Sequence, residues 1–256
     1  GLTASLVKLP VADLWALLQR NYDAVEGEVG GTFSLGGTVE YPTMSLSVSL
    51  ADARFGDFTA PQLQVTANYR FQRLRGELSA RRVGEEVLKV NVELPIDLAL
   101  KETETRQLPG RVSVLARADS VDLSLLDAIT PLVSSLDGTL DANFGIAGTW
   151  ENPELTGRLS IADGVGRYPA IGVLHENING SFRLSGDTIW VEQLSLNSGR
   201  GSADITGFMR LEELSRPVLD LQFRGRNFHA LNVRDFLSLE ATGNLTMRGP
   251  VFGGVT

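Results

Sequence analysis

Apolar and polar residues alternate along most of this chain. In "LQVTANYRF", Leu63, Val65, Ala67, Tyr69 and Phe71 fall on one face and Gln64, Thr66, Asn68 and Arg70 on the other. "VLKVNVELP" sets Leu88, Val90, Val92 and Leu94 against Lys89, Asn91 and Glu93. "TLDANFGI" sets Leu140, Ala142, Phe144 and Ile146 against Thr139, Asp141 and Asn143. "SADITGFMRL" and "VLDLQFRG" behave alike. A period of two, with one dry and one wet face, is the pattern of antiparallel strands. On the order of a dozen strands of about 6–10 residues are expected. Turns are expected at "ADGVG" (162–166), "SGD" (185–187) and "NSGRG" (197–201).

The period changes in the stretches that lead into these strands. "VADLWALLQRNYDAVEG" and "VDLSLLDAITPLVSSLDG" place Leu14, Leu17, Leu18 and then Leu125, Leu126, Ile129, Leu132, Val133 at roughly helical spacing, with Pro131 limiting the second. Short helices are expected over 11–25 and 122–136, and "HALNVRDFLSLEATG" (229–243) reads as a third lead-in of the same kind.

"GTVEYP" at 37–42 and "GTWENP" at 148–153 share a frame, offset by 148 − 37 = 111 residues. Held without gaps over 37–52 and 148–163, that offset gives seven identities in sixteen positions, including Ser49/Ser160, Ala51/Ala162 and Asp52/Asp163. It also pairs Gly27 with Gly138 and Phe33 with Phe144. Self-similarity at a long period marks an array whose units bury their faces with help from their neighbours. Three units follow: 1–107, 108–228, and a truncated 229–256. The chain opens at Gly1-Leu2-Thr3 and stops inside a repeat, so it reads as an interior piece of a longer protein.

So many half-apolar strands need a cover for the apolar face. Two packed sheets, a closed barrel, or a curved sheet around a groove would each supply one. A unit of about 110 residues that starts with a helix favours a sheet extended by each successive unit. The expected fold is therefore all-β and mainly antiparallel, an elongated curved sheet forming a hydrophobic trough, with short helices at the start of each unit. The apolar face comprises Val48, Leu50, Leu63, Val65, Tyr69, Phe71, Leu88, Val90, Val92, Leu140, Phe144, Ile146, Leu159, Ile161, Phe182, Leu184, Ile205, Leu219, Leu221 and Phe223. These residues either form a sealed core or line a groove open to acyl chains, each buried CH2 then contributing about 0.8 kcal/mol.

Composition narrows the chemistry. A net charge of −8 and no basic run disfavour nucleic acid and anionic membrane surfaces. The absence of cysteine removes disulfides, zinc–thiolate sites and cysteine nucleophiles together. His175 beside Glu176 lacks a marked partner, since His229 is the other histidine of the chain. "NSGRGSAD" (197–204) lacks the Gly-Lys-Ser/Thr ending of a phosphate loop and reads as a hairpin turn. Asp137, Asp141, Glu151 and Asp163 read as a solvated face rather than a glycosidase pair. Gly148, Pro153 and Gly157 suit turns and close strand approach. No enzyme activity, cofactor or metal is expected.

One ordered set of motifs carries a resemblance: Asp-Leu-Ser-Leu-Leu at 122–126, Gly-Thr-Leu-Asp-Ala at 138–142, and Gly-Thr-x-x-x-Pro-x-Leu-x-Gly-x-Leu-x-Ile-x-Asp-Gly at 148–164. Gly-Asp-x-Ile-x-Val at 186–191 and Ser-Gly-Arg-Gly-x-Ala-x-Ile-x-Gly at 198–207 complete it. In that order the motifs resemble the TamB family of translocation and assembly proteins, within the AsmA-like group. The likeness is strongest over 108–256; the first unit has "ARFGDFTAP" where the second has "GVGRYPAIG". The resemblance implies a periplasmic protein anchored in the inner membrane of a diderm bacterium. It implies a β-groove carrying phospholipid acyl chains between the membranes, and an outer-membrane barrel partner engaged outside this stretch. The alternative is a scaffold for outer-membrane protein assembly that pairs exposed sheet edges with incoming strands.

Overall fold

A computed structural model describes residues 1–10, 25–55, 58–124, 134–168, 172–214, 216–233 and 237–250. Among the described residues, fourteen strands follow one another as hydrogen-bonded neighbours in chain order. They are β1 (Leu2–Pro10), β2 (Val25–Gly37), β3 (Pro42–Phe55), β4 (Phe58–Arg70), β5 (Arg73–Arg82), β6 (Glu85–Pro95) and β7 (Ser113–Asp122). The others are β8 (Ser134–Gly148), β9 (Pro153–Tyr168), β10 (Val173–Gly186), β11 (Thr188–Ser198), β12 (Gly201–Glu213), β13 (Arg216–Val233) and β14 (Leu237–Pro250). Each described pair is antiparallel. The fold is thus all-β and antiparallel, as alternation predicts. The chain packs as two compact units, residues 1–118 with 145–150 and residues 119–144 with 151–256, taken in turn below.

The repeat is visible in the backbone. The offset of 111 pairs Gly27 (φ 127°) with Gly138 (φ 109°), Gly37 (φ 76°) with Gly148 (φ 92°), and Asp52 (φ 50°) with Asp163 (φ 51°). The shared frame is a hairpin tip, joining β2 to β3 and β8 to β9. At Gly157 the demand is steric as well: a Cβ there would stand 2.2 Å from the Asn143 carbonyl oxygen and 2.6 Å from Phe144 Cα.

Several local expectations change. Strands run from 9 residues in β1 to 18 in β13, longer than the pattern suggests. One reason is Ala162–Gly166, which reads as a turn but lies inside β9. Asp163 takes the left-handed conformation there, and the β9–β10 register shifts between His175 and Ile178 and again before Gly180. A bulge absorbs the extra residues and the strand continues. The "NSGRG" and "SGD" turns do close hairpins, at Gly199–Arg200 and Asp187.

In its described residues the third lead-in is strand, not helix. β13 and β14 pair Phe228 with Ala241, His229 with Glu240 and Asn232 with Ser238. Apolar positions recur every second residue on both sides of 234–236, which suits a neighbouring strand better than a helical stripe. The helix expected over 11–25 falls on residues 11–24, outside the described residues. That expected over 122–136 is bounded by Asp122, the end of β7, and Ser134, the start of β8. Leu123 and Ser124 form a 3₁₀ turn, and residues 125–133 lie outside the described ones.

Candidate functional site

Register converts alternation into apolar rows that run across the strands. In the first unit, one row passes through Leu9, Val29, Leu50, Leu63, Ala80, Leu88 and Ala118. The second passes through Leu6, Gly31, Val48, Val65, Leu78, Val90 and Ala116, and the third through Ala4, Phe33, Leu46, Ala67, Gly76, Val92 and Val114. A fourth, beside the hairpin tips, holds Leu2, Leu35, Met44, Tyr69, Leu74 and Leu94. The opposite face is polar: Ser5, Thr32, Ser47, Thr66, Glu77 and Asn91 align there.

Burial differs between rows. Val29, Leu50, Ala80 and Ala118 in the first row and Tyr69 in the fourth are buried. The two central rows contain no buried residue; Val48, Val65, Leu78, Val90, Phe33, Leu46 and Val92 are all half-buried. A sealed core would bury its centre most deeply. Four rows spaced two residues apart over seven strands cover roughly 20 Å by 29 Å, about 600 Å².

The second unit repeats the arrangement. Ile161, Gly180, Leu194, Ile205, Phe223 and Leu245 form one row, and Leu159, Phe182, Val191, Gly207, Leu221 and Met247 the next. Gly157, Leu184, Ile189, Met209, Leu219 and Gly249 form a third. The middle row again has no buried member, while its flanks include buried Gly180, Ile205 and Leu184. The sheet here coils towards its apolar side. His175 on β10 and Phe228 on β13 stack with ring centroids 5.7 Å apart, whereas three strand intervals of a flat sheet span roughly 14 Å. Burial pushes the His175 imidazole below its ordinary pKa. Ser198, fully buried at the same end, donates to the His229 carbonyl at 3.0 Å.

Most of the apolar residues expected from the sequence take their places in these rows. Leu140, Phe144 and Ile146, on β8, are half-buried. Phe71 does not join them: it leaves β4 at the turn, with φ 54° and 85% exposure, under the Arg70 guanidinium. A two-residue turn ends the alternation one step early. Asp141, expected as a solvated carboxylate, is exposed and also accepts from the Ser120 amide at 2.8 Å.

The polar face of the first unit has a depression of about 320 Å³ lined by Thr66, Asn68, Arg75, Glu77, Asn91 and Glu93. Glu93 accepts there from Arg73 at 2.8 Å and Arg75 at 3.3 Å. Those hydrogen bonds, Arg75 first, hold its carboxyl below the usual range. The lining charges satisfy one another across β5 and β6.

Sequence reasoning misses one part of the site. Residues 96–111 leave β6 and form a hairpin-shaped flap. Asp97 N donates to Arg106 O at 2.8 Å and Leu108 N to Pro95 O at 3.2 Å, and Ile96 bridges Gln107. The flap lies on the apolar side, where Leu98 N donates to the Tyr69 hydroxyl at 2.9 Å. Ala99 and Val112 are buried with Tyr69. The flap's length is the signal that could have found it, since irregular stretches beyond about 12–15 residues are uncommon and usually functional.

No protein family, curated protein or solved structure matches the chain. The likeness to TamB therefore rests on the motifs alone.

Proposed function

We propose that this chain is a non-enzymatic segment of a lipid conduit, in which phospholipid acyl chains lie along the half-buried central rows while headgroups stay at the wet margin. One observation carries the reading: the middle row of each apolar face, with Val48, Val65 and Val90 in one unit and Leu159, Phe182 and Leu221 in the other, holds no buried residue, whereas the flanking rows hold buried Val29, Leu50, Ala80 and Tyr69, and Ile205 and Leu184. Acyl chains suit such a surface because the contact is dispersed and non-directional, and each methylene withdrawn from water contributes about 0.8 kcal/mol. Rows that cross the strands offer a continuous path with no polar step. The motif resemblance agrees with this reading, and extends it to a periplasmic site between two membranes with an outer-membrane barrel as a further partner.

The test is photocrosslinking of the purified chain incubated with phosphatidylethanolamine–phosphatidylglycerol vesicles. A photoreactive residue at Val65 or Phe182 should capture phospholipid, and one at the outward Thr66 or Arg183 should not. Equal capture at inward and outward positions would sink the conduit. Capture of unfolded outer-membrane protein in place of lipid would support the edge-pairing scaffold instead.

A further inference from the structure

The flap at 96–111 combines three properties. It holds its own shape: besides the paired arms, the Arg106 guanidinium donates to the carbonyls of Asp97, Ala99 and Lys101 at 3.1, 2.7 and 3.3 Å. The Asp97 carboxylate accepts from Ala99 N at 2.8 Å. Its base is fixed to the neighbouring tips, because Ile96 N donates to Gln72 O at 3.0 Å and the Trp150 indole to Pro95 O at 3.1 Å. Its far end is fastened lightly. Leu100 N donates to Val39 O at 2.9 Å, and Lys101 Nζ meets Glu40 at 2.6 Å with both side chains more than half exposed. Exposed pairs of this kind are weak and screened by salt. Near that end Thr103 Oγ1 is buried without a hydrogen-bond partner among the described residues, an unfavourable feature of this position of the flap.

Between base and latch, the flap covers the fourth apolar row at Tyr69. A rigid lever with a fixed hinge and a weak catch has two discrete positions. We infer that residues 96–111 are a gate on the apolar face, swinging about Pro95–Ile96 and Leu108 to uncover the row of Met44, Tyr69 and Leu74 when the catch at Val39 and Glu40 releases. This inference rests on the lipid reading for its purpose, since the gate sets how much of the face acyl chains reach. The hinge and catch themselves stand on geometry alone.

The cysteine-free chain permits a clean test. Val39→Cys with Leu100→Cys locks the catch on oxidation, and Lys101→Glu places a like charge against Glu40. Photoreactive residues at Met44, the register partner of Tyr69 in the fourth row, and Val48, in the second row, report phospholipid capture from the same vesicles. Locking should lower capture at Met44 by at least about fivefold, leave Val48 unchanged, and reverse on reduction. Independently of lipid, Lys101→Glu should speed hydrogen exchange at the Leu98 and Leu100 amides by about tenfold while leaving Val65 protected. Unchanged exchange at those amides, or equal capture at Met44 in the locked and reduced forms, overturns the gate while leaving the conduit in place. Loss of capture at both Met44 and Val48 in every form overturns the conduit and the gate's purpose, with the exchange result still deciding the hinge.

Discussion

Replacing Val65 by Asp separates an open apolar face from a sealed one. Val65 occupies the second row, between Val48 and Leu78, and is half-buried. Full burial of a valine side chain stabilises by about 1.5–3 kcal/mol, so partial loss here costs about 1 kcal/mol. The new carboxylate keeps contact with water on an open face, and the total stays near 1–2 kcal/mol. Ala80 is the contrast: it is wholly buried one row away, and Ala80→Asp strands a carboxylate there at several kcal/mol. Urea denaturation followed by far-UV circular dichroism reads the difference. With a slope of about 2 kcal/mol/M, Val65→Asp should move the midpoint down by about 0.5–1 M, whereas Ala80→Asp leaves the first unit unfolded or nearly so. Val65→Asp should nevertheless abolish lipid capture at Val48 and Val90, since acyl chains cannot cross a hydrated charge cheaply. If the two substitutions destabilise equally, the central rows are a closed core and the reasoning fails.

Two further outcomes follow from the second unit. Gly157→Ala forces a Cβ onto the Asn143 carbonyl at φ 117° and should cost at least about 2 kcal/mol; Gly186→Ala, at φ 64° with open space around it, should cost about 1 kcal/mol, so thermal melts of equal midpoint would count against the close approach of β8 and β9. Because burial lowers the His175 pKa, the unfolded chain binds a proton more readily than the folded one, so this residue's contribution to stability falls as pH drops below about 6.5. His175→Phe should flatten that part of the stability–pH curve, and an unchanged curve would show that His175 is not the group responsible.

Strand pattern and repeat were legible because both are local or periodic. Leu63, Val65 and Tyr69 could be assigned to one face by counting in twos, and Asp52 and Asp163 could be paired by a fixed offset. Three features escaped, the first at a tight local turn and the other two because they depend on partners further along the chain. Phe71 continues the alternation on paper, yet the backbone turns at that residue. Ala162–Gly166 has the composition of a turn, but pairing with β10 on one side keeps it extended and makes it a bulge. The flap needs Tyr69, Val39 and Trp150 to be neighbours of Leu98, Leu100 and Pro95, and no period in the sequence brings them together. The half-burial of the central rows was the least legible feature. Alternation fixes which residues share a side, whereas their exposure depends on what lies opposite.

Strict chain-order neighbouring has a consequence for how such a protein sets its length. Because the described strand pairs run in chain order, adding or deleting one hairpin away from the flap and from the Ser198–His229 and His175–Phe228 contacts leaves every other strand pairing intact and keeps every side chain on its side. The apolar rows then lengthen or shorten by two strand spacings, about 9.6 Å. Row length thus becomes a countable property of the gene, adjustable in steps of one hairpin without redesigning the strands that remain.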